Sequence, residues 1–140
     1  MLKNIPACIS PDLMHTLMSM GHGDEIVLAD ADFPGESNSK VLLRADGIDV
    51  KILLEAILPF FPLDTFVEHP VVTMDCSEWG DEPESYAEFR KIIKKHHPGF
   101  TEFEYEKRFE FYKRASKAFA VVITSEADGN TIIKKGPIMT

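Results

Sequence analysis

Three short runs of apolar residues constrain the fold of this chain more than any other feature of its sequence. They occupy residues 26–29, residues 71–74 and the central part of the segment FAVVITSE. None of them alternates between apolar and polar residues, as a strand with one solvated face does. They therefore predict strands that are covered on both faces, as in a parallel sheet.

Segments with helical signals lie between these strands. Ser10 is a typical cap for the start of one helix, Asp49 for another, and Pro83 lies near the start of a third. Aromatic and small residues at helical spacing predict a fourth helix within RFEFYKRASKA.

Strands that alternate with helices predict an α/β fold. We expect residues 1–140 to form a single-domain sandwich, in which helices flank a mainly parallel central sheet. The turn signal ADGN, followed by the apolar segment TIIKKG, predicts a hairpin added near the C-terminus.

The charge balance excludes several classes of partner. The chain carries 23 acidic and 15 basic side chains, which is a formal net charge of −8. Nucleic acids and anionic membranes require a basic surface that neutralises their phosphates, so we expect neither as a partner. A small neutral ligand fits this charge better.

The two cysteines, Cys8 and Cys76, are far apart and outside any CxxC pattern. They indicate neither a disulfide framework nor a zinc site, and we expect buried free thiols in a reducing compartment. The first residues, MLKNIPACIS, do not resemble a secretory signal, and no apolar run approaches the roughly 20 residues of a membrane span. A cytoplasmic protein is expected.

Several polar residues follow the predicted strands, at the end where open α/β sheets bind ligands. They are Asp30, Asp75 and the loop around Gly129 and Asn130. His22 is a further candidate, because the two glycines beside it lack a Cβ and allow close approach to a ligand. Its imidazole can exchange protons near neutral pH. We expect the first strand to bring His22 and Asp30 to the same end of the sheet.

Three interpretations of this cluster remain open from the residues alone. In the first, His22 caps the end of the first helix and the acids are exposed loop residues. In the second, His22, Asp24, Asp30 and Asp32 hold a metal ion, although no paired His or Cys spacing supports it. In the third, they perform general acid/base chemistry on a small polar ligand. The sequence contains no phosphate-binding loop, dinucleotide fingerprint or nucleophile elbow, which disfavours kinases, dehydrogenases and hydrolases.

Four segments of the chain carry a family resemblance. They read ISPDLMHTLMSMGHGDEIVLADADFPGES, LRADGIDVKILLEAILPFFPLD, RFEFYKRASKAFAVVITSE and GNTIIKKG. Together they resemble the ribose pyranase and fucose mutarotase family, and within it the fucose mutarotase branch. The resemblance implies an α/β sandwich and a cofactor-free, metal-free enzyme that interconverts the α and β anomers of a free monosaccharide. It also implies a homo-oligomer, commonly a decameric ring, with sites at the subunit boundaries.

The resemblance further implies roles for individual residues. His22, in the GHGD turn, corresponds to the proton donor of the family, and Asp30 corresponds to an acid that binds the sugar. The other positions that correspond to sugar-binding residues are Arg108, Asp128, Gly129 and Asn130. Asp128 departs from the family pattern, which has a tyrosine there, so the contact made by that tyrosine is unassigned and the sugar preference stays open.

Two alternative functions stay in view. A D-ribose pyranase is disfavoured, because the ribose branch carries a histidine where this chain has Arg108 and lacks the RADG turn. A non-catalytic sugar-binding or regulatory protein would keep the pocket without a competent acid. His22 and Asp30 count against that function, whereas the altered loop at Asp128 counts for it.

Overall fold

The computed structural model describes residues 1–139, which contain four helices and six strands. In chain order they are α1 (Pro11–Ser19), β1 (Glu25–Ala29), β2 (Leu42–Ala45), α2 (Val50–Ile57), β3 (Val71–Met74), α3 (Glu84–His96), β4 (Glu104–Glu106), α4 (Arg108–Lys117), β5 (Ala120–Thr124) and β6 (Thr131–Lys134). The α/β class predicted from the sequence is confirmed. No helix within residues 1–139 combines the length and apolarity needed to cross a membrane.

Two of the predicted helix starts are confirmed by capping hydrogen bonds. The Ser10 hydroxyl accepts from the Leu13 N–H at 3.1 Å at the start of α1. The Asp49 carboxylate accepts from the Ile52 N–H at 2.8 Å at the start of α2. These bonds form because the first N–H groups of a helix have no carbonyl partner within it.

The six strands form one sheet in the order β2-β5-β1-β6-β3-β4. β1 pairs in parallel with β5, β2 with β5, and β3 with β4. β6 is antiparallel to both of its neighbours, β1 and β3. Since five strands point in one direction and β6 alone points in the other, the prediction of a mainly parallel sheet is confirmed.

The predicted C-terminal hairpin is wrong. β6 does not pair with the preceding strand, β5, because β1 lies between the two. The loop of residues 125–130 instead crosses the end of β1. Ile132 and Ile133 are fully buried on opposite faces of the sheet, which requires a central position that an added hairpin at the margin would not provide.

Both faces of the sheet are covered by helices, as the continuous apolar runs predict. One layer of the core holds Leu17 of α1, Leu54 of α2 and Phe89 of α3. The other layer is built around Phe111 and Ala115 of α4. The sandwich architecture predicted for the chain is therefore confirmed.

The directions of the strands create two functional edges. The five parallel strands end at the edge that contains Asp30, Asp75 and residues 125–130, which we call the carboxyl edge. The opposite edge, which we call the amino edge, contains His22, just before β1, and Asp64. Asp64 belongs to this edge because its N–H donates to the carbonyl of Lys134, the last residue of β6, at 3.0 Å.

Candidate active site

Asp30 is the centre of a buried hydrogen-bond cluster at the carboxyl edge. It directly follows β1, and Asn130 directly precedes β6, which runs in the opposite direction beside it. The Asp30 N–H donates to Asn130 Oδ1 at 2.8 Å. Asp30 Oδ2 accepts from Asn130 Nδ2 at 3.1 Å and from the Gly129 N–H at 3.2 Å. Asp30 and Asn130, which are 100 positions apart in sequence, thus hold each other's side chains in place.

The loop beside this cluster requires glycine at position 129. The φ angle of Gly129 is +139°, and a Cβ there would lie 2.4 Å from Ser85 Oγ. That hydroxyl donates to the backbone carbonyl of Asp128 at 2.6 Å, so α3 holds the loop in place. The Asp128 side chain itself is exposed at the carboxyl edge.

The surroundings of Asp30 favour its protonated form more than water does. Burial raises the pKa of this carboxyl, because a buried carboxylate loses its hydration. The N–H groups of Gly129 and Asp32 lower the pKa, the negative charges of Asp128 and Asp32 raise it, and the net direction is upward. When charged, Asp30 can accept hydrogen bonds from sugar hydroxyls, and it keeps a proton to a higher pH than an ordinary aspartate.

Arg108 lies at the carboxyl edge because it begins α4 just after β4. Its Nε donates to the Tyr112 hydroxyl at 2.9 Å, and its guanidinium lies 5.5 Å from the centre of the Tyr112 ring. The Tyr112 ring packs edge-on against Phe33, with ring centres 5.4 Å apart. Phe33 belongs to the turn that begins with Asp30, since its N–H donates to the Asp30 carbonyl at 3.3 Å. Two aromatic rings therefore connect Arg108 to the Asp30 cluster.

His22 is held by a buried carboxylate at the amino edge. Its Nε2 lies 3.1 Å from Asp64 Oδ1, and its ring centre lies 5.1 Å from that of Phe66. The Asp64 side chain is only 4% exposed, whereas that of His22 is 45% exposed. In the neutral imidazole this contact favours Nε2–H as the donor to Asp64, which leaves Nδ1 as the free base. The arrangement supplies an oriented, accessible group for proton transfer.

The expectation that His22 and Asp30 share one end of the sheet is wrong. Residues of a strand advance about 3.3 Å each, so the five residues of β1 separate the two edges by about 17 Å. A residue before an extended strand and a residue after it necessarily lie at opposite ends. Within one chain, His22 does not reach the Asp30 cluster.

Two of the interpretations that the sequence left open fail on this geometry. His22 does not cap α1, because its ring bonds to Asp64 and the helix ends with the Met20 N–H on the Leu17 carbonyl. Its proposed metal-binding partner Asp30 lies at the other edge. Among residues 1–139, no three His, Cys, Asp or Glu side chains are placed to hold one metal ion.

Asp75, the other acid that follows a predicted strand, stands apart from the cluster. It lies at the carboxyl edge after β3, as expected, and its Oδ1 accepts from the Ser77 N–H at 2.9 Å. That N–H lowers the pKa of the Asp75 carboxyl, which therefore stays charged. None of its hydrogen bonds within residues 1–139 joins it to Asp30.

A known protein family covers nearly the whole chain. The sequence model of the RbsD / FucU transport protein family matches residues 3–138 of the chain. The chain belongs to this family. The resemblance inferred from the four sequence segments is thereby confirmed.

Individual members of the family are similar over their full lengths. The L-fucose mutarotase of Haemophilus influenzae (strain 86-028NP) is 49% identical, and the match covers 97% of this chain and 96% of that protein. The fucose mutarotase of Mus musculus is 47% identical, with coverage of 98% and 95%. The crystal structure of the Streptococcus pneumoniae fucose mutarotase in complex with L-fucose has a TM-score of 0.91 at 42% identity, with coverage of 99% and 100%.

The structure gives two further residues contacts with the candidate site residues. Tyr112 had been considered from the sequence only as a substitute for the family tyrosine, and its contact with Arg108 had a usable signal, since it follows Arg108 by four residues in a predicted helix, where side chains are neighbours. Asp64 carried none, because its contact with His22 joins residues 42 positions apart across two loops.

Proposed function

We propose that this protein is a sugar mutarotase that interconverts the α and β anomers of L-fucose, an isomerase acting on a carbohydrate. The observation that carries this function is the similarity to named fucose mutarotases, which extends over at least 95% of both chains in each pair compared. The buried cluster of Asp30, Gly129 and Asn130 adds a preformed polar surface for hydroxyl groups at the edge where α/β sheets bind ligands.

The reaction needs two proton transfers. To open a pyranose ring, an acid delivers a proton to the ring oxygen while the anomeric hydroxyl loses one, and closure on the other face reverses both transfers. We assign His22 to the first transfer, the delivery of a proton to the ring oxygen, because its ring is accessible and the contact with Asp64 fixes its orientation. A water molecule takes the proton that the anomeric hydroxyl loses, and closure of the ring returns both protons. General acid/base catalysis supplies about 10²–10⁴-fold, which suits a reaction that also proceeds in plain water.

The carboxyl edge is assigned to sugar binding. Asp30 accepts hydrogen bonds from hydroxyls, and the Asn130 amide fixes its carboxylate. Arg108 is a donor for a sugar oxygen, and its bond to Tyr112 keeps the guanidinium in one orientation. Asp128 is exposed at the same edge, where the family tyrosine is replaced, and offers a carboxylate in place of a ring.

The site is assigned to the boundary between two copies of the chain. His22 and the Asp30 cluster lie at opposite edges of one subunit, about 17 Å apart along β1, which is too far for one monosaccharide to contact both. A neighbouring subunit that places its amino edge against this carboxyl edge brings the two halves together. Such a head-to-tail contact repeats around a closed ring, in agreement with the homo-oligomer, commonly a decamer, that the family resemblance implies.

Magnetisation-exchange NMR tests this function directly, with L-fucose, D-ribose and D-galactose measured with and without the protein. We expect faster exchange between the L-fucose anomers at catalytic protein concentration, with no metal or nucleotide added and no effect of a chelator. Acceleration confined to D-ribose would identify a ribose pyranase instead. Saturable binding without faster exchange of any sugar would identify a sugar-binding protein.

We also assign the protein to the cytoplasm. Its two cysteines, Cys8 and Cys76, are free thiols, which suits a reducing compartment. Fractionation of cells that express the chain, followed by immunodetection, checks the assignment. Recovery of the protein in a secreted or membrane fraction would contradict it.

A further inference from the structure

Glu126 is a buried carboxylate that the proposed function does not use. Its side chain is 7% exposed and lies two residues beyond the end of β5. Lys51, in the first turn of α2, donates to both of its oxygens, at 2.7 and 2.9 Å. Burial disfavours the charged form of Lys51, but the carboxylates of Glu126 and Asp49 together outweigh it, and the pKa of the ammonium is raised.

The backbone around Glu126 holds the segment that contains Asp30. The Glu126 carbonyl accepts from the Ala31 N–H at 2.9 Å. The Glu126 N–H donates to Thr124 Oγ1 at 3.0 Å, and that hydroxyl donates to the Ala29 carbonyl at 2.7 Å. The residues directly before and after Asp30 are thus both bonded to the end of β5.

Glu126 also begins the loop that forms the other side of the cluster. This loop continues to Asn130, which is bonded to Asp30, and Ser85 holds its middle through the Asp128 carbonyl. A displacement of Glu126 would move the Ala31 contact and the start of the loop together. Both parts of the sugar-binding cluster are therefore connected to Glu126, in addition to the Ser85 contact that holds the middle of the loop.

This ion pair is buried on the Glu126 side only, since the Lys51 side chain is 32% exposed. Removing the Glu126 carboxylate from water costs free energy, and the attraction of a partly solvated lysine returns about as much, so the pair contributes little to stability by itself. What the ion pair adds is a charge-assisted hydrogen bond to each carboxylate oxygen, which fixes the position of the carboxylate and with it the backbone of the same residue.

We propose that Glu126, anchored by Lys51, is a positioning residue that sets the geometry of Asp30 and of the loop of residues 128–130. The readout through sugar exchange rests on the proposed mutarotase function. The structural part, the anchoring of the Ala31 amide, does not.

The test compares Glu126→Gln, Lys51→Met and Lys51→Arg with the unaltered protein. For each we would measure KM and kcat for L-fucose exchange, hydrogen exchange of the Ala31 amide by NMR, and thermal unfolding. We expect Glu126→Gln and Lys51→Met to raise KM by about tenfold, with a smaller change in kcat, because the binding groups are misplaced while His22 is untouched. The Ala31 amide should exchange faster in both variants. Lys51→Arg keeps a cation beside Glu126, so its KM and Ala31 exchange should stay close to those of the unaltered protein.

Glu104→Gln is the matched control, since it removes one partner of the Arg114 ion pair at the start of β4, on the amino edge. It should lower stability without changing KM or Ala31 exchange. Unchanged KM and Ala31 exchange in folded Glu126→Gln or Lys51→Met would overturn the positioning role. If Glu126→Gln does not fold, KM and Ala31 exchange measured on Lys51→Met test the positioning role. An unaltered protein that accelerates no sugar would instead remove the proposed function, and Ala31 exchange would still decide the anchoring.

Discussion

Nε2 of His22 lies 3.1 Å from Oδ1 of Asp64, and the same Oδ1 accepts from the Phe66 N–H at 3.0 Å. The backbone bond fixes the carboxylate, and the fixed carboxylate then orients the imidazole. Because Asp64 is buried and His22 is half-exposed, the carboxyl group lies inside the protein while the imidazole ring faces outward. This dyad gives His22 a defined orientation without any contact to the Asp30 cluster.

The first prediction concerns this dyad. Asp64→Asn removes the carboxylate that orients the His22 ring, so we expect kcat for L-fucose exchange to fall by about 10²-fold, with KM changed little. Anomer exchange measured by NMR over a series of sugar concentrations separates the two parameters. The matched control is Asp24→Asn, because Asp24 bonds to the Gly21 N–H and not to His22. Equal rates for Asp64→Asn and Asp24→Asn would rule out a catalytic contribution from Asp64.

A second prediction concerns the support of Arg108. Tyr112→Phe removes the hydroxyl that accepts from Arg108 Nε and retains the ring that packs on Phe33. KM for L-fucose should rise by about five- to tenfold while kcat stays close to its original value, because only the orientation of a binding group is lost. Tyr105→Phe is the control, since Tyr105 accepts in the same way from Arg90. A similar KM for both variants would contradict a role for the Arg108–Tyr112 contact.

The third prediction is a shift in pH dependence. The pKa of Asp30 is raised, and Asp128 is one of its causes. If charged Asp30 binds the sugar, kcat/KM falls as pH drops through this pKa. Asp128→Asn removes a negative charge and lowers the Asp30 pKa, so the acid limb of the profile should move to lower pH. Asp75→Asn, at the same edge but not among the causes of the shift, should leave the limb in place. A shift to higher pH would contradict this account.

Complementation provides a fourth prediction, for a site shared between subunits. His22→Asn and Asp30→Asn should each lower the exchange rate by about 10²-fold or more, with sugar binding retained in the first and weakened in the second. Co-expression of the two variants forms mixed oligomers, in which about a quarter of the sites combine an intact His22 with an intact Asp30 from a neighbour. We expect that fraction of activity to return. Mixed oligomers without recovered activity would contradict a site that is shared between subunits.

Gly129 offers a fifth prediction, on stability. Gly129→Ala forces an L-residue to φ +139° and brings its Cβ to 2.4 Å from Ser85 Oγ, so we expect a loss of about 2–3 kcal/mol in the free energy of unfolding and a raised KM. Gly80→Ala isolates the backbone part, because Gly80 has φ +140° with open space around its Cα. Its loss should be about 1 kcal/mol, with KM unchanged. Denaturant unfolding distinguishes the two, and equal losses would show that the contact with Ser85 is unimportant.

Local sequence determined the elements and the position of Asp30. The run of residues 26–29 has no polar position, and all four side chains are buried, as a strand inside a sandwich requires. Ser10 and Asp49 cap the helices that they were expected to cap. Asp30 lies at the carboxyl edge because it directly follows such a strand. All of these features depend on interactions within a few residues of each other, which the order of amino acids encodes directly.

Only the tertiary structure shows the order of the strands and the contacts between residues that are distant in sequence. The residues around Thr131 do not predict that β6 lies between β1 and β3, because the order of strands depends on which apolar faces can be buried together. The contact of His22 with Asp64 joins two loops, and that of Asp30 with Asn130 joins residues 100 positions apart in sequence. Because His22 and Asp30 are close in sequence, they were expected to lie at the same end of the sheet. The extended β1 strand between them instead places them at opposite edges. A partner distant in sequence is chosen by the packing of the whole sheet, and no local pattern of residues carries that information.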